Sequence, residues 1–184
     1  LGDSGRALCE VETKSTRPEE QYHSLVESDD FSEWNPDQKR LFGTFGWKSC
    51  WQFNHEPELS WIENDAEKGG LRMSCKKQCK NVTQAVNTIT QRMKFPVCIT
   101  EVTVDAEGIK DGDYAGMCAL QGCYGMAAVT KRDGRMLLVM RSLEAEHDSI
   151  EGNQGNSEEI EWEAVAVESS KIRIRLEADF QNQH

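Results

Sequence analysis

The sequence predicts an all-β protein, an antiparallel jelly-roll β-sandwich. Short runs of alternating or β-branched residues, about ten in number, recur at regular spacing along the chain. Glycine, proline, asparagine and aspartate mark turns between these runs. No apolar repeat of helical period lasts for more than a turn or two. These three observations favour strands joined by tight turns over any helical architecture.

Composition divides the 184 residues into two parts. Residues 1–27 lack apolar periodicity and are rich in Ser, Thr and Glu, which predicts a linker or N-terminal extension. From residue 28 the composition changes, and aromatic side chains become frequent. We therefore expect one β-sandwich domain over residues 28–184, long enough to bury a core of its own.

The first half of this domain predicts short strands with turns between them. Trp47, Trp51 and Phe53 alternate with polar residues, a pattern of period two that is typical of a strand. Further strands are expected over residues 59–63 and 71–74, and residues 86–94 alternate again.

The second half carries the clearest strand, the β-branched run over residues 97–105. The dipeptide Asp133-Gly134 predicts a hairpin turn. The other predicted segments are strands over residues 115–120, 126–130, 136–141, 159–167 and 172–178, with a polar loop over residues 144–157.

The charge balance excludes several partners. The net charge is -11, whereas binding of nucleic acid or an anionic membrane needs clustered Lys and Arg. Apolar runs are too short to span a bilayer. A neutral polysaccharide meets no such electrostatic penalty.

Cysteine and histidine usage predicts neither a metal site nor a nucleophilic site. The seven cysteines are an odd number for a disulfide framework, and most lie in strand-like runs, so we expect a largely reduced chain with at most one disulfide. His23, His55 and His147 share no spacing that would pair one of them with a nucleophile.

Six short motifs, in this order, resemble one known family. They are S-D-D-F (28–31), W-Q-F-N-H-E-P (51–57), G-G-L-R-M (69–73), N-T-I-T-Q-R (87–92), K-D-G-D-Y-A-G (110–116) and Q-G-C-Y-G (121–125). Together they resemble the C-terminal concanavalin A-like β-sandwich of glycoside hydrolase family 43, the family of β-xylosidases and α-L-arabinofuranosidases. The resemblance runs from about residue 29 to residue 180.

The resemblance implies an accessory module rather than an enzyme. In that family a five-bladed β-propeller carries the catalytic acids, and no such propeller occurs in this sequence, so no catalytic residue is assigned. The implied partners are the catalytic propeller and xylan or arabinoxylan oligosaccharide, in the cytoplasm of a polysaccharide-degrading microbe or secreted by it. The family's sandwich continues beyond a segment like the one ending at Phe180. We therefore expect its final strands to come from a missing piece or from another chain.

Amide, guanidinium and aromatic side chains that could bind a sugar recur between residues 84 and 125. The predicted carbohydrate-binding residues are Asn87, Gln91, Arg92, Tyr114, Gln121 and Tyr124, with Trp51 as an aromatic platform. If residues 87–92 form a strand, Asn87 and Gln91 share one face. The alternative is that the amides satisfy turns and strand edges while the aromatic rings fill the core.

A second functional hypothesis rests on three alternating glutamates, Glu159, Glu161 and Glu163, which strand periodicity would place on one face. The pattern resembles the acidic strand of family 16 β-glucanases, where two carboxylates serve as nucleophile and acid/base. A self-contained glycosidase is the alternative function, and a solvated strand face is the ordinary explanation.

Asp105, Asp111 and Asp113 flank the sharp turn at Gly112. Aspartate and glycine favour such a turn through their backbone freedom, so we predict a turn and no metal there. No cofactor is predicted, although a structural calcium ion elsewhere in the sandwich stays compatible with the sequence.

Overall fold

The computed structural model describes residues 24–32, 46–65, 67–144 and 158–181. These ranges form ten β-strands and two short 3₁₀ helices, which confirms the all-β prediction. The strands are β1 Gln52–Phe53, β2 Ile62–Asn64, β3 Leu71–Met73, β4 Ile89–Thr90, β5 Val97–Asp105, β6 Tyr114–Gln121, β7 Cys123–Arg132, β8 Arg135–Leu143, β9 Ile160–Ala166 and β10 Lys171–Asp179. The 3₁₀ helices are Leu59–Trp61 and Val82–Gln84.

The main sheet is a four-stranded antiparallel meander in the order β6-β7-β8-β9. Its β7–β8 hairpin turns at Asp133-Gly134, where both residues have positive φ, as the sequence predicted. β5 and β10 pair along their full lengths as a separate two-stranded ribbon. Strands far apart in the sequence are thereby joined, as in a jelly roll.

Alternation explains how the ribbon packs. One face of it carries Val102, Val104, Ile172 and Ile174, and the other carries mainly charged residues such as Glu101 and Arg175. The ribbon contacts β6 and β7, and Ile174 is buried. The two layers of the sandwich therefore meet over the first half of the main sheet.

The two faces of the main sheet differ. We call the face that carries Tyr124, Met126, Ala128 and Val139 the front face; these four side chains form a buried cluster against which Val82 packs. The opposite, back face carries Val129, which is fully buried, and Met140, which is half exposed. The back face is thus covered over β7 and open towards β9.

Several predicted strands of the first half are turns instead. Residues 46–51 form turns, so that only Gln52–Phe53 of the aromatic run is strand. The segment from Leu59 begins as a 3₁₀ helix because the side chain of Glu58 caps it by accepting from the backbone N–H of Ser60. Of the run 86–94 only Ile89–Thr90 pairs with another strand. Alternation alone does not separate a strand from an extended loop that has buried side chains.

The proposed boundary at residue 28 stays a prediction, and residues 1–23 lie outside the described ranges. The residues just before the boundary do contact the domain, since Gln91 holds the backbone of Glu27 with two hydrogen bonds. Within those ranges no helix is both long enough and apolar enough to cross a membrane.

Candidate functional site

A buried tyrosine anchors a group of charged side chains on the front face. Tyr124 of β7 is only 4% exposed, and its hydroxyl donates a hydrogen bond to a carboxylate oxygen of Glu159. Arg141 of β8 pairs with the other oxygen of that carboxylate at 2.6 Å. Burial, reinforced by the Glu159 carboxylate, raises the pKa of Tyr124 well above its ordinary value. The phenol is therefore held as a neutral donor.

A second carboxylate extends this group towards solvent. Arg132, at the end of β7, binds Glu161 with both terminal guanidinium nitrogens, one of them 2.7 Å from Oε1. The same guanidinium donates to the Tyr114 hydroxyl at 3.4 Å, and Arg141 lies 5.1 Å from the centre of the Tyr114 ring. The hydrogen bond from Arg132 lowers the pKa of the Glu161 carboxyl.

We call these side chains the front-face network. Its members are Tyr114, Tyr124, Arg132, Arg141, Glu159 and Glu161. They come from β6, β7, β8, β9 and the residue before β9, so the network links all four strands of the main sheet. It combines two phenols, two guanidinium groups and two carboxylates in mutual contact.

A glycine sets the local shape of the sheet beside Tyr114. A Cβ atom at Gly116 would lie 2.1 Å from the carbonyl oxygen of Ala127 and 2.8 Å from the Cβ of Ala128. Only glycine tolerates such a close approach of β6 to β7. Gly116 shares the face of Tyr114, so β6 carries no side chain there, and Ala128 of β7 lies directly against it.

Asn87, one of the predicted sugar-binding residues, is a structural amide in this fold. It has a left-handed conformation, with φ of 62°, and it is buried. Its Oδ1 accepts from the backbone N–H of Glu58 at 2.9 Å, and its Nδ2 donates to the Glu58 carbonyl at 3.0 Å. The expected strand face shared by Asn87 and Gln91 does not exist, because a left-handed residue interrupts the alternation.

Trp51 and Gln91 both tie down the segment around residue 28. The Trp51 ring nitrogen donates to Asp29 Oδ2 at 2.8 Å, and its ring lies 5.3 Å from that of Phe31. Gln91 accepts from the Glu27 N–H at 3.1 Å and donates to the Glu27 carbonyl at 2.9 Å. Their polar atoms are thus used within the fold.

The remaining predicted residues have different places. Arg92 and Gln121 are exposed, Gln121 as the last residue of β6. Tyr114 and Tyr124 are linked indirectly, because Arg141 contacts the Tyr114 ring and Glu159 joins Arg141 to the Tyr124 hydroxyl. The sugar-binding role of all seven residues stays a prediction.

Sequence reasoning missed Arg132 and Arg141, which hold the network together. The signal for Arg141 was weak: opposite charges on the adjacent strands β8 and β9, visible only once the register pairs Arg141 with Glu161. Arg132 gave no such signal, because it ends β7, which does not pair with β9. Without that register the arginines resemble ordinary surface cations.

The three alternating glutamates do not share a face, and this expectation was wrong. A β-bulge between Met140 and Arg141 shifts the register, so that Glu161 lies opposite Arg141 and Glu163 opposite Met140. Consecutive residues of β8 point to opposite faces, so Glu163 lies on the back face. Glu159 and Glu161 are both paired with arginine.

The aspartates around Gly112 form a turn, as predicted. Gly112 has φ of 87°, Asp113 accepts from the Lys110 N–H at 3.2 Å, and Asp111 accepts from the Gly134 N–H at 3.3 Å. Their carboxylates thus order two neighbouring turns. Among the described residues, no three His, Cys, Asp or Glu side chains are grouped as a metal site.

Comparison with known proteins agrees with this architecture. Residues 42–184 match the model of a family described as the β-xylosidase C-terminal concanavalin A-like domain. A solved structure described as a bifunctional GH43-CE protein of Bacteroides eggerthii is similar, with a TM-score of 0.68 and 32% sequence identity. The match covers 86% of this chain and 18% of that one, so this chain spans less than a fifth of its relative. No curated protein matches the sequence. The fold and these two matches together show that the chain belongs to the family of C-terminal concanavalin A-like domains of family 43 glycoside hydrolases.

Proposed function

We propose that this domain is a non-catalytic module that docks on the catalytic propeller of a family 43 glycoside hydrolase and stabilises it. One observation carries the proposal: the back face over β8 and β9 presents an open apolar strip. Its members, each between 44 and 59% exposed, are Met140, Ile160, Trp162 and Val165. Ile160 and Val165 lie opposite Ser142 and Leu138, which share the face of Met140, and the Trp162 ring nitrogen donates to the Ser142 hydroxyl at 2.8 Å. Large apolar side chains grouped on one surface mark an interaction site more often than scattered ones do.

The layering of the sandwich supports this reading. The main sheet has four strands, whereas the ribbon that contacts β6 and β7 has two. The apolar strip therefore extends beyond the ribbon, where a second body can cover it. Membership in a family of C-terminal domains of hydrolases makes the catalytic domain the natural second body.

Hydrogen bonds within the fold also favour a stabilising role over sugar binding at three of the predicted carbohydrate-binding residues. The polar side-chain atoms of Asn87, Gln91 and Trp51 form hydrogen bonds with other residues of the protein. A sugar hydroxyl would have to replace these contacts, which join distant segments of the chain, so these three groups gain little from binding it.

The test is to produce this chain together with the family 43 propeller from the same source organism. We expect the two to co-purify and the melting temperature of the propeller to rise. Trp162→Glu should abolish both effects because it places a charge in the buried interface. The matched control is Ile99→Glu, which changes an equally exposed apolar side chain on the ribbon.

Two results would contradict this proposal. One is a propeller that neither co-purifies with the chain nor melts at a higher temperature in its presence. The other is a complex that tolerates Trp162→Glu as well as it tolerates Ile99→Glu.

A second candidate function is direct binding of xylan or arabinoxylan. It is favoured by the outer members of the front-face network, because the Tyr114 ring and the Arg132 side chain are about one third exposed. Affinity gels that contain these polysaccharides test it: retarded migration of the chain supports binding, and unchanged migration on every polymer contradicts it.

A further inference from the structure

We propose that the front-face network is a binding site for one neutral sugar residue of a polysaccharide. Tyr114 would stack on the sugar ring, and Arg132 and Glu161 would bind its hydroxyl groups. This inference rests on the second candidate function, that the domain holds polysaccharide.

The chemistry of the network suits a sugar. A sugar hydroxyl both donates and accepts hydrogen bonds, so a pair of neighbouring hydroxyls needs donors and acceptors side by side. Arg132 and Glu161 bind each other, but a guanidinium has five N–H donors and a carboxylate about four acceptor sites, so both keep hydrogen-bonding capacity for a sugar hydroxyl at this partly exposed position. Tyr114 adds an aromatic ring to the same group through its contact with Arg132.

Burial decreases from the inner members to the outer ones. Tyr124 is 4% exposed, and the Glu159 side chain is 12% exposed. The Arg132 side chain and Tyr114 reach 37% and 36%. The inner residues thus hold the outer groups in place while those groups stay accessible, which is the arrangement that a preorganised site needs.

The surface next to Tyr114 is exposed and carries no large side chain. Gly116 lies two residues further along β6 on the same face and has no side chain, and its cross-strand partner is Ala128. The Arg141 guanidinium stacks with the Tyr114 ring at 5.1 Å and so restrains its orientation. With only a glycine and an alanine beside it, the partly exposed Tyr114 ring is the largest side chain at this point and provides a shallow platform.

The charges of the network favour a neutral ligand. Its two arginines and two glutamates balance each other, and every arginine already has a carboxylate partner. An anionic sugar such as a uronate would have to displace one of these carboxylates in a chain whose net charge is -11. A neutral sugar adds no unpaired charge.

The experiment is calorimetric titration of the chain with xylan, arabinoxylan and glucuronoxylan oligosaccharides. Tyr114→Ala removes the platform, and we expect it to weaken the affinity by about tenfold. Arg132→Gln should weaken it to a similar degree, whereas Tyr114→Phe, which keeps the ring, should retain most of it. The control is Phe95→Ala, because Phe95 is 75% exposed and lies beside β5, outside the network.

The outcomes separate this inference from the proposals on which it depends. If oligosaccharides bind but Tyr114→Ala and Arg132→Gln leave the affinity unchanged, or Phe95→Ala removes it, the site is wrong and polysaccharide binding stands. If no oligosaccharide binds, both are overturned, and docking on the propeller is unaffected. Tighter binding of uronate-bearing oligosaccharides than of neutral ones contradicts the neutral class. Circular dichroism of each variant shows whether a loss of affinity comes from loss of the fold.

Discussion

At the scale of single residues, several polar side chains are placed by contacts with the backbone of a distant segment. Asn87 bridges to Glu58, 29 residues away, and Gln91 bridges to Glu27, 64 residues away. Such amides replace backbone partners that loops lack. These side-chain hydrogen bonds hold the loops of the first half of the domain in place, where strands are short.

Replacing Asn87 tests this role. We expect Asn87→Ala to lower the free energy of unfolding by about 2–3 kcal/mol, because it removes two hydrogen bonds and leaves alanine in a left-handed conformation. Asn87→Gly should cost less, since glycine tolerates that conformation. Urea denaturation measures both. If the two variants lost the same free energy of unfolding, the left-handed backbone conformation of residue 87 would contribute nothing to the effect.

Tyr124 makes a prediction at alkaline pH. Its pKa is raised in the folded state by burial and by Glu159, so the folded protein favours the neutral phenol. The corresponding stability is fully present below the unfolded pKa, about 10, and is lost as the pH rises above that value. Thermal melts between neutral and alkaline pH should show a decline that Tyr124→Phe reduces. A decline of the same size in both proteins would assign it to other groups.

At the scale of elements, the main sheet depends on a close approach of β6 and β7 and on a bulge in β9. The close approach occurs at Gly116 and leaves no room for a side chain. The bulge places Glu161 on the front face and Glu163 on the back face. Both features decide which side chains reach the front face.

Gly116→Ala should destabilise the protein by about 2 kcal/mol or more, because its Cβ would overlap the backbone of β7. Gly125→Ala is the matched control, since a Cβ at that position of β7 meets no atom within 4 Å. Chemical denaturation of the two variants gives the comparison. If both cost the same, the loss comes from the change of residue type and not from the contact.

The bulge predicts different roles for two glutamates that alternate in the sequence. Glu161→Gln should lower the free energy of unfolding by roughly 0.5–1 kcal/mol, because it weakens the partly exposed pair with Arg132. Glu163→Gln should be nearly neutral. Since the pKa of Glu161 is lowered in the folded state, its contribution is present above the unfolded pKa and is lost as the pH falls through the folded pKa. The two variants should therefore have equal free energies of unfolding at acid pH. A difference that persists there would contradict the assignment of the effect to the Glu161 carboxylate.

At the scale of the whole molecule, a four-stranded sheet faces a two-stranded ribbon, and the apolar strip of the back face extends beyond their contact. The same molecule carries a net charge of -11. Net charge opposes self-association, whereas an open apolar surface favours it.

This balance predicts salt-dependent association of the isolated chain. Raising the salt concentration screens the repulsion between copies, so sedimentation should show more self-association at high salt. Trp162→Glu should suppress that association and leave the melting temperature nearly unchanged, because Trp162 is 59% exposed. Association that is the same in Trp162→Glu and in the unaltered chain would place the contact on another surface.

The sequence by itself determined the fold class, the family and the clearest local elements, such as the strand Val97–Asp105 and the turn at Asp133-Gly134. These depend on local propensity and on alternation, which act over a few residues. Only the tertiary structure decided the front-face network, because Tyr124 and Glu159 lie 35 residues apart and meet through strand pairing. It also decided the place of Glu163. One bulged residue in β9 moves the residues that follow it to the opposite face of the sheet, and the alternation in the sequence does not reveal this.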